Sequence, residues 1–125
     1  MDGDGINGLT ERVIGAVFEV SNSLGAGFLE KVYERALLTE LELQGLKAVA
    51  EVPFSVVYKG QFVGEYFADI VVDDEVVVEL KCVDRLGEAH VAQCLNYLRA
   101  SGLRLCLLVN FQRAKVEWKR IVLDL

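Results

Sequence analysis

The chain has 125 residues, 53% of them apolar and only one a proline, which suits a single domain with its own core and argues against disorder. Thirteen basic residues against nineteen acidic ones leave a net charge of −6, and this excludes the broadly basic surface that holds nucleic acid without specificity. No apolar run reaches the ~20 residues that span a bilayer; the opening MDGDGING has neither the basic nor the apolar region of a secretory signal, so a cytoplasmic protein is expected.

Residues 1–8 are rich in glycine and aspartate and are expected to fray. Thr10 is read as the cap of a helix over 10–23, in which Val13, Val17, Val20 and Leu24 recur at helical spacing beside Ile14. Gly25-Ala26-Gly27 ends it. A second helix covers 29–44, with Leu29, Val32, Ala36, Leu37, Leu41 and Leu43 on its apolar side and Gly45 as its stop. Glu30 and Tyr33 lie three apart near its start and share a side. Taken alone, the glutamate complements the helix dipole and the tyrosine packs.

Residues 51–58 alternate as a strand, and Pro53 assigns it to an edge or makes its position early in the strand. Lys59-Gly60 turns the chain into a second strand over 61–72, and 75–82 completes an antiparallel meander. A third helix over 87–100 has Val91, Leu95 and Leu98 on one face and His90, Gln93 and Tyr97 along another. His90 is the only histidine and has no evident partner. After Gly102, residues 103–109 are almost continuously apolar, as in a buried central strand running parallel to its neighbour through the helical crossover. An edge strand over 116–123 follows, and Arg113, Lys115, Lys119 and Arg120 read as a solvated tail rather than a phosphate contact. Cys82, Cys94 and Cys106 form no CxxC pair and read as buried free thiols. This order gives a mixed α/β fold, a central sheet of four or five strands with helices on both sides.

The stretch 69–81, DIVVDDEVVVELK, carries the chemistry. Strand alternation puts Glu79 and Lys81 on one face, and charges in so apolar a setting must be paired or bind metal. One reading is a structural ion pair of Lys81 with Asp69 and Glu79; the other is a divalent-metal site. The second depends on parity. A two-residue loop at Asp73-Asp74 would set Asp69 opposite Val78 and turn the two acids to opposite faces. A three-residue loop, or a bulge, sets Asp69 opposite Glu79.

The Asp-(strand)-Glu-x-Lys pattern of Asp69, Glu79 and Lys81 resembles the PD-(D/E)XK nucleases. Gly27, Glu30 and Tyr33 spell Gly-x-x-Glu-x-x-Tyr, and LTERVIGAVFEVSNSLGAGFLEKVYERAL resembles the start of the GxxExxY family, a small branch of that superfamily. The likeness continues in order through HVAQCLNYL and LRLCLLVNF. It departs at Ser21, where the family usually has histidine, and at Phe67, where it often has arginine. Gln93-x-x-x-Tyr97 resembles the motif that follows the Glu-x-Lys strand in RecB-type nucleases. The resemblance implies a restriction-endonuclease-like core and hydrolysis of DNA or RNA phosphodiesters with Mg²⁺ or Mn²⁺. It further implies that Asp69, Glu79, the Leu80 carbonyl and Glu30 hold the metal, that Lys81 positions the water, and that Gln93, Tyr97 and Tyr33 lie on the substrate side. The alternative is an inactive nuclease-fold module with a binding or regulatory role, which the acidic balance favours. A homodimer is open under both, and the sequence names no protein partner.

Overall fold

The computed structural model describes residues 2–123, with side chains from residue 5 onward; Met1, Asp124 and Leu125 lie outside the described residues. The elements are α1 (Asp2–Leu24), α2 (Glu30–Leu43), β1 (Ala48–Tyr58), β2 (Gln61–Val72), β3 (Val76–Lys81), α3 (Glu88–Ser101), β4 (Leu105–Asn110) and β5 (Glu117–Val122). One five-stranded sheet runs β1-β2-β3-β4-β5. Its β3–β4 pair is parallel, joined through α3, and the other pairs are antiparallel.

Helices α1 and α2 cover one side, where Val13, Val17, Leu37 and Leu41 meet Val76, Val78, Leu105, Leu107 and Val109. Helix α3 covers the other, where Cys94 and Leu98 meet Val77, Cys106 and Leu108. Strand β4 is buried along its whole length, as a continuous apolar run between two helical layers must be.

Helix α1 begins well before Thr10, which therefore does not cap it; the Thr10 hydroxyl donates to the Ile6 carbonyl one turn back, at 2.8 Å. The reason is burial. Leu9 is in the core and Ile6 packs against it, so the apolar stripe extends beyond the expected start. Tertiary packing of that stripe outweighs the cost of the early glycines, about 1 kcal/mol each in a helix interior.

The β2–β3 connection holds three residues, Asp73, Asp74 and Glu75, because Val72 pairs with Val76 and Ile70 with Val78. Asp73 and Asp74 both have positive φ, and the Glu75 N–H donates to the Val72 carbonyl at 3.0 Å. Two left-handed residues in succession match the right-handed twist of the flanking strands, and Glu75 is the extra residue. The count continues to place Asp69 opposite Glu79.

Alternation breaks where β1 passes Asp69. Glu51 has φ +54, and the ladder skips the Glu51/Asp69 pair between Ala50↔Ile70 and Val52↔Ala68. Ile70 packs on the α1/α2 side, whereas Ala68, Val52 and Phe54 pack on the α3 side. The β1–β2 ladder then continues to Tyr58↔Gln61, while the β2–β3 ladder runs only from Ile70 to Val72. The outer part of the hairpin is thus a two-stranded arm. Helix α3 holds one of its faces, with Tyr66 stacked on Phe54 at 5.5 Å and on Tyr97 at 4.0 Å.

Asp74→Gly is expected to stabilise the protein by about 0.5–1 kcal/mol, because glycine takes positive φ without a Cβ penalty and the exposed Lys47–Asp74 pair it removes is worth little. A higher urea midpoint at unchanged slope is the expected readout; a lower midpoint would show that the Lys47 pair matters more than the backbone.

Candidate active site

Past Ile70 and Val78, strands β2 and β3 are joined by side chains. The Asp69 N–H donates to Glu79 Oε1 at 3.1 Å, and the Leu80 N–H donates to Asp69 Oδ2 at 2.8 Å. Each carboxylate thereby satisfies a backbone donor of the opposite strand, and the strands part without orphaning either amide. Glu79 is 3% exposed. Burial, then the charge of Asp69, pushes its carboxyl up to about 9. Asp69 is also raised, chiefly by burial, against the opposing pull of the Leu80 N–H.

Lys81, two residues after Glu79 on β3, is half-buried, and its Nζ donates to Gln93 Oε1 on α3 at 3.0 Å. The glutamine therefore holds the lysine across the crossover. Asn110, at the end of β4, fixes the chain as it leaves β3: its side chain accepts the Val83 N–H at 3.1 Å and donates to the Val83 carbonyl at 2.8 Å.

The other expected residues are placed as follows. Glu30 opens α2 and is exposed. Its carboxyl is nevertheless raised, first by partial burial and then by the charge of Asp69, with Lys81 and the Cys82 backbone opposing. Tyr97 stacks on Tyr66, and burial followed by the charge of Glu79 holds its phenol at about 12, so it stays a donor at neutral pH. Tyr33 is wholly buried. Its hydroxyl donates to the Gly25 carbonyl and accepts the Phe28 N–H, and its ring stacks on Phe111 at 4.6 Å. It fixes the loop that leads into Glu30. His90 accepts the Gly87 N–H at 3.0 Å and closes the first turn of α3.

Two acids escaped the sequence reading. Among the described residues, Glu34, Glu51 and Asp69 offer carboxylate oxygens that all lie within 4.8 Å of one another. Lys31 Nζ bridges the first two, at 3.0 Å from Glu34 and 3.2 Å from Glu51. Glu34 is buried, and its carboxyl is raised mainly for that reason. Its position one helical turn after Glu30 was the available signal; nothing in the sequence marks the backbone turn that delivers Glu51.

A central mixed sheet with helices on both sides, parting at a carboxylate pair with a lysine beside it, defines a nuclease-like α/β core. The sequence profile of the PD-(D/E)XK nuclease superfamily matches residues 7–121, and the chain belongs to that superfamily. The crystal structure of SSO0001 is similar at TM-score 0.61 and 19% identity, over 76% of this chain and 50% of that one, so the chain spans half the length of that relative. An alkaline exonuclease from Laribacter hongkongensis, LHK-Exo, is similar at TM-score 0.50 and 14% identity, over 86% of this chain and 76% of that one. Among curated proteins none matches. At these identities the structural likenesses speak for the fold.

The raised carboxyls have a sign that can be tested. Between the ordinary glutamate value of 4.5 and the folded value of about 9 for Glu79, the folded protein binds a proton that the unfolded chain does not. Stability in chelator should therefore fall as pH rises through that window, and the slope should vanish below it. Glu79→Gln should flatten much of the dependence, leaving the part due to the other raised carboxyls, Asp69, Glu34 and Glu30. Urea midpoints measured at fixed ionic strength check this; a wild-type midpoint that rises from pH 5 to pH 9 would contradict the assignment.

Proposed function

We propose that the chain hydrolyses phosphodiester bonds of DNA or RNA with a bound divalent cation, Mg²⁺ or Mn²⁺, as a member of the GxxExxY branch of its superfamily. The observation that carries this reading is the Asp69–Glu79 pair at the parting of β2 and β3, with Lys81 alongside. The donor set fits a hard cation. Asp69, Glu79 and the Leu80 carbonyl are all oxygen ligands, and Glu30, Glu34 and Glu51 stand around them. Against these five carboxylates the site has only the ammoniums of Lys31 and Lys81, and burial raises Glu30, Glu34, Asp69 and Glu79 alike. A desolvated acidic excess of this kind is relieved by a cation.

When bound, such a cation supplies Lewis acidity and a water of lowered pKa. Asp69, Glu79 and the Leu80 carbonyl would hold it. Lys81, steadied by Gln93, orients the attacking water and faces the charge that develops on the phosphate oxygens. Glu30 accepts a hydrogen bond from the water at the solvent side. Tyr97 offers its hydroxyl to the phosphate, and Tyr33 contributes by fixing the loop before Glu30. The alternative, a binding module without catalysis, is favoured by one observation, the net charge of −6.

Calorimetry with Mn²⁺ and a cleavage screen with single- and double-stranded DNA and RNA separate the two. Wild type should bind Mn²⁺ and Asp69→Ala should lose the heat. Lys81→Met should fold, keep the metal and lose about 100-fold or more of the cleavage rate, the usual scale for one general acid–base or charge-stabilising group. Cleavage by Lys81→Met at the wild-type rate would remove the lysine from the mechanism. Metal binding without cleavage of any substrate would favour the binding module.

A further inference from the structure

The outer arm of the β1–β2 hairpin presents apolar side chains to solvent. On the face turned away from α3, Val57 is 61% exposed, Phe62 65% and Phe67 51%. Val57 pairs with Phe62, and Phe67 pairs with Pro53 on the same face, opposite to the Phe54 and Tyr66 that pack on α3. With roughly half to two-thirds of each side chain bare, the patch exposes on the order of 300 Å² per molecule. A patch of that size is often functional, and it is a sizeable apolar centre for the ~800 Å² that each partner contributes to a standard interface. A two-stranded hairpin is marginal in water without packing, and α3 covers only one face of this one.

The geometry points to a second copy of this chain as what covers the arm, packed face to face with the arms antiparallel about a two-fold axis. Edge pairing along β1 is unsuitable. Pro53 has no N–H to donate, Glu51 turns the backbone at φ +54, and the register shifts between Val56 and Val57; these are devices that blunt an edge. An isologous face contact needs only that the patch complement itself. Antiparallel arms also lay the tip of one over the middle of the other, which brings Lys59 of each copy to Glu65 of its mate. Both side chains are exposed, and among residues 52–67 they are the only charged ones. With a single cation to offer, and a chain at −6, the arm does not fit a phosphate backbone.

Sedimentation equilibrium of the full chain tests this without reference to cleavage. Wild type should reach twice 13.9 kDa in the micromolar range, and the double variant Val57→Asp/Phe62→Asp should sediment as a monomer with an unchanged far-ultraviolet spectrum. Val122→Ser, which alters an exposed apolar residue on the opposite sheet edge, should remain dimeric. If the double variant fails to fold, the charge pair decides: Lys59→Glu should weaken the dimer about 10-fold, and Lys59→Glu/Glu65→Lys should restore it. A wild type that is monomeric at ~100 µM, a dimer indifferent to the arm substitutions, or a charge swap that fails to restore association would each overturn the proposal.

Discussion

The structure turns on the exchange of hydrogen bonds between Asp69 and the end of β3. Two strands at the centre of a sheet cannot simply part, because each N–H left behind costs roughly what a buried hydrogen bond is worth. Here the carboxylate of each strand takes the amide of the other. That opens a wedge beside a buried glutamate, and it costs each carboxylate only one of its acceptor positions. Asp69 also lies with an oxygen within 4.8 Å of oxygens of Glu34 and Glu51. The same contacts that end the ladder therefore create the concentration of negative charge.

The kink at Glu51 completes the arrangement. A residue with a side chain held at positive φ within a strand stores of order 1–3 kcal/mol, and the surroundings must enforce it. Lys31 does so from α2, tying Glu51 to the buried Glu34. The kink exchanges the faces of both strands: Ile70 and Val72 pack on α1 and α2, whereas Ala68 and Tyr66, of the same parity, pack on α3. Residues from α2, β1, β2, β3 and α3 can then meet at one place. A regular hairpin would have kept the arm on one side and left Asp69 facing a single helical layer.

Much of this was legible in the chain. Helical spacing located α2 and α3 to within a residue or two, and the nearly continuous apolar run at 103–109 marked the buried parallel strand. Parity alone stated what the β2–β3 loop must do if Asp69 and Glu79 were to meet, and the loop has three residues. Composition misled at Thr10, where glycines nearby suggested frayed chain but Ile6 and Leu9 had a core to reach. The family resemblance put Tyr33 on the substrate side beside Glu30, whereas its hydroxyl and ring are spent on the Gly25 loop and Phe111. Glu34 and Glu51 were hidden for different reasons: the first is one of several acids on α2, and the second depends on a backbone torsion that no residue pattern announces.

The parallel pairing of β3 with β4 also has a consequence for the order of events during folding. Helix α1, helix α2 and the first three strands are connected by short turns and can associate while the rest of the chain is still unstructured. Lys81, however, is held by Gln93 across the crossover, and the chain just beyond it is clamped by Asn110. These contacts must wait for a loop closure that antiparallel neighbours avoid, and non-local strand pairing of this kind is the slow part of acquiring a fold. A chain emerging from the ribosome would thus assemble its acidic groups first and its lysine last. A partly made molecule carries Asp69, Glu79 and Lys81 on neighbouring strands with the lysine not yet held in place by α3.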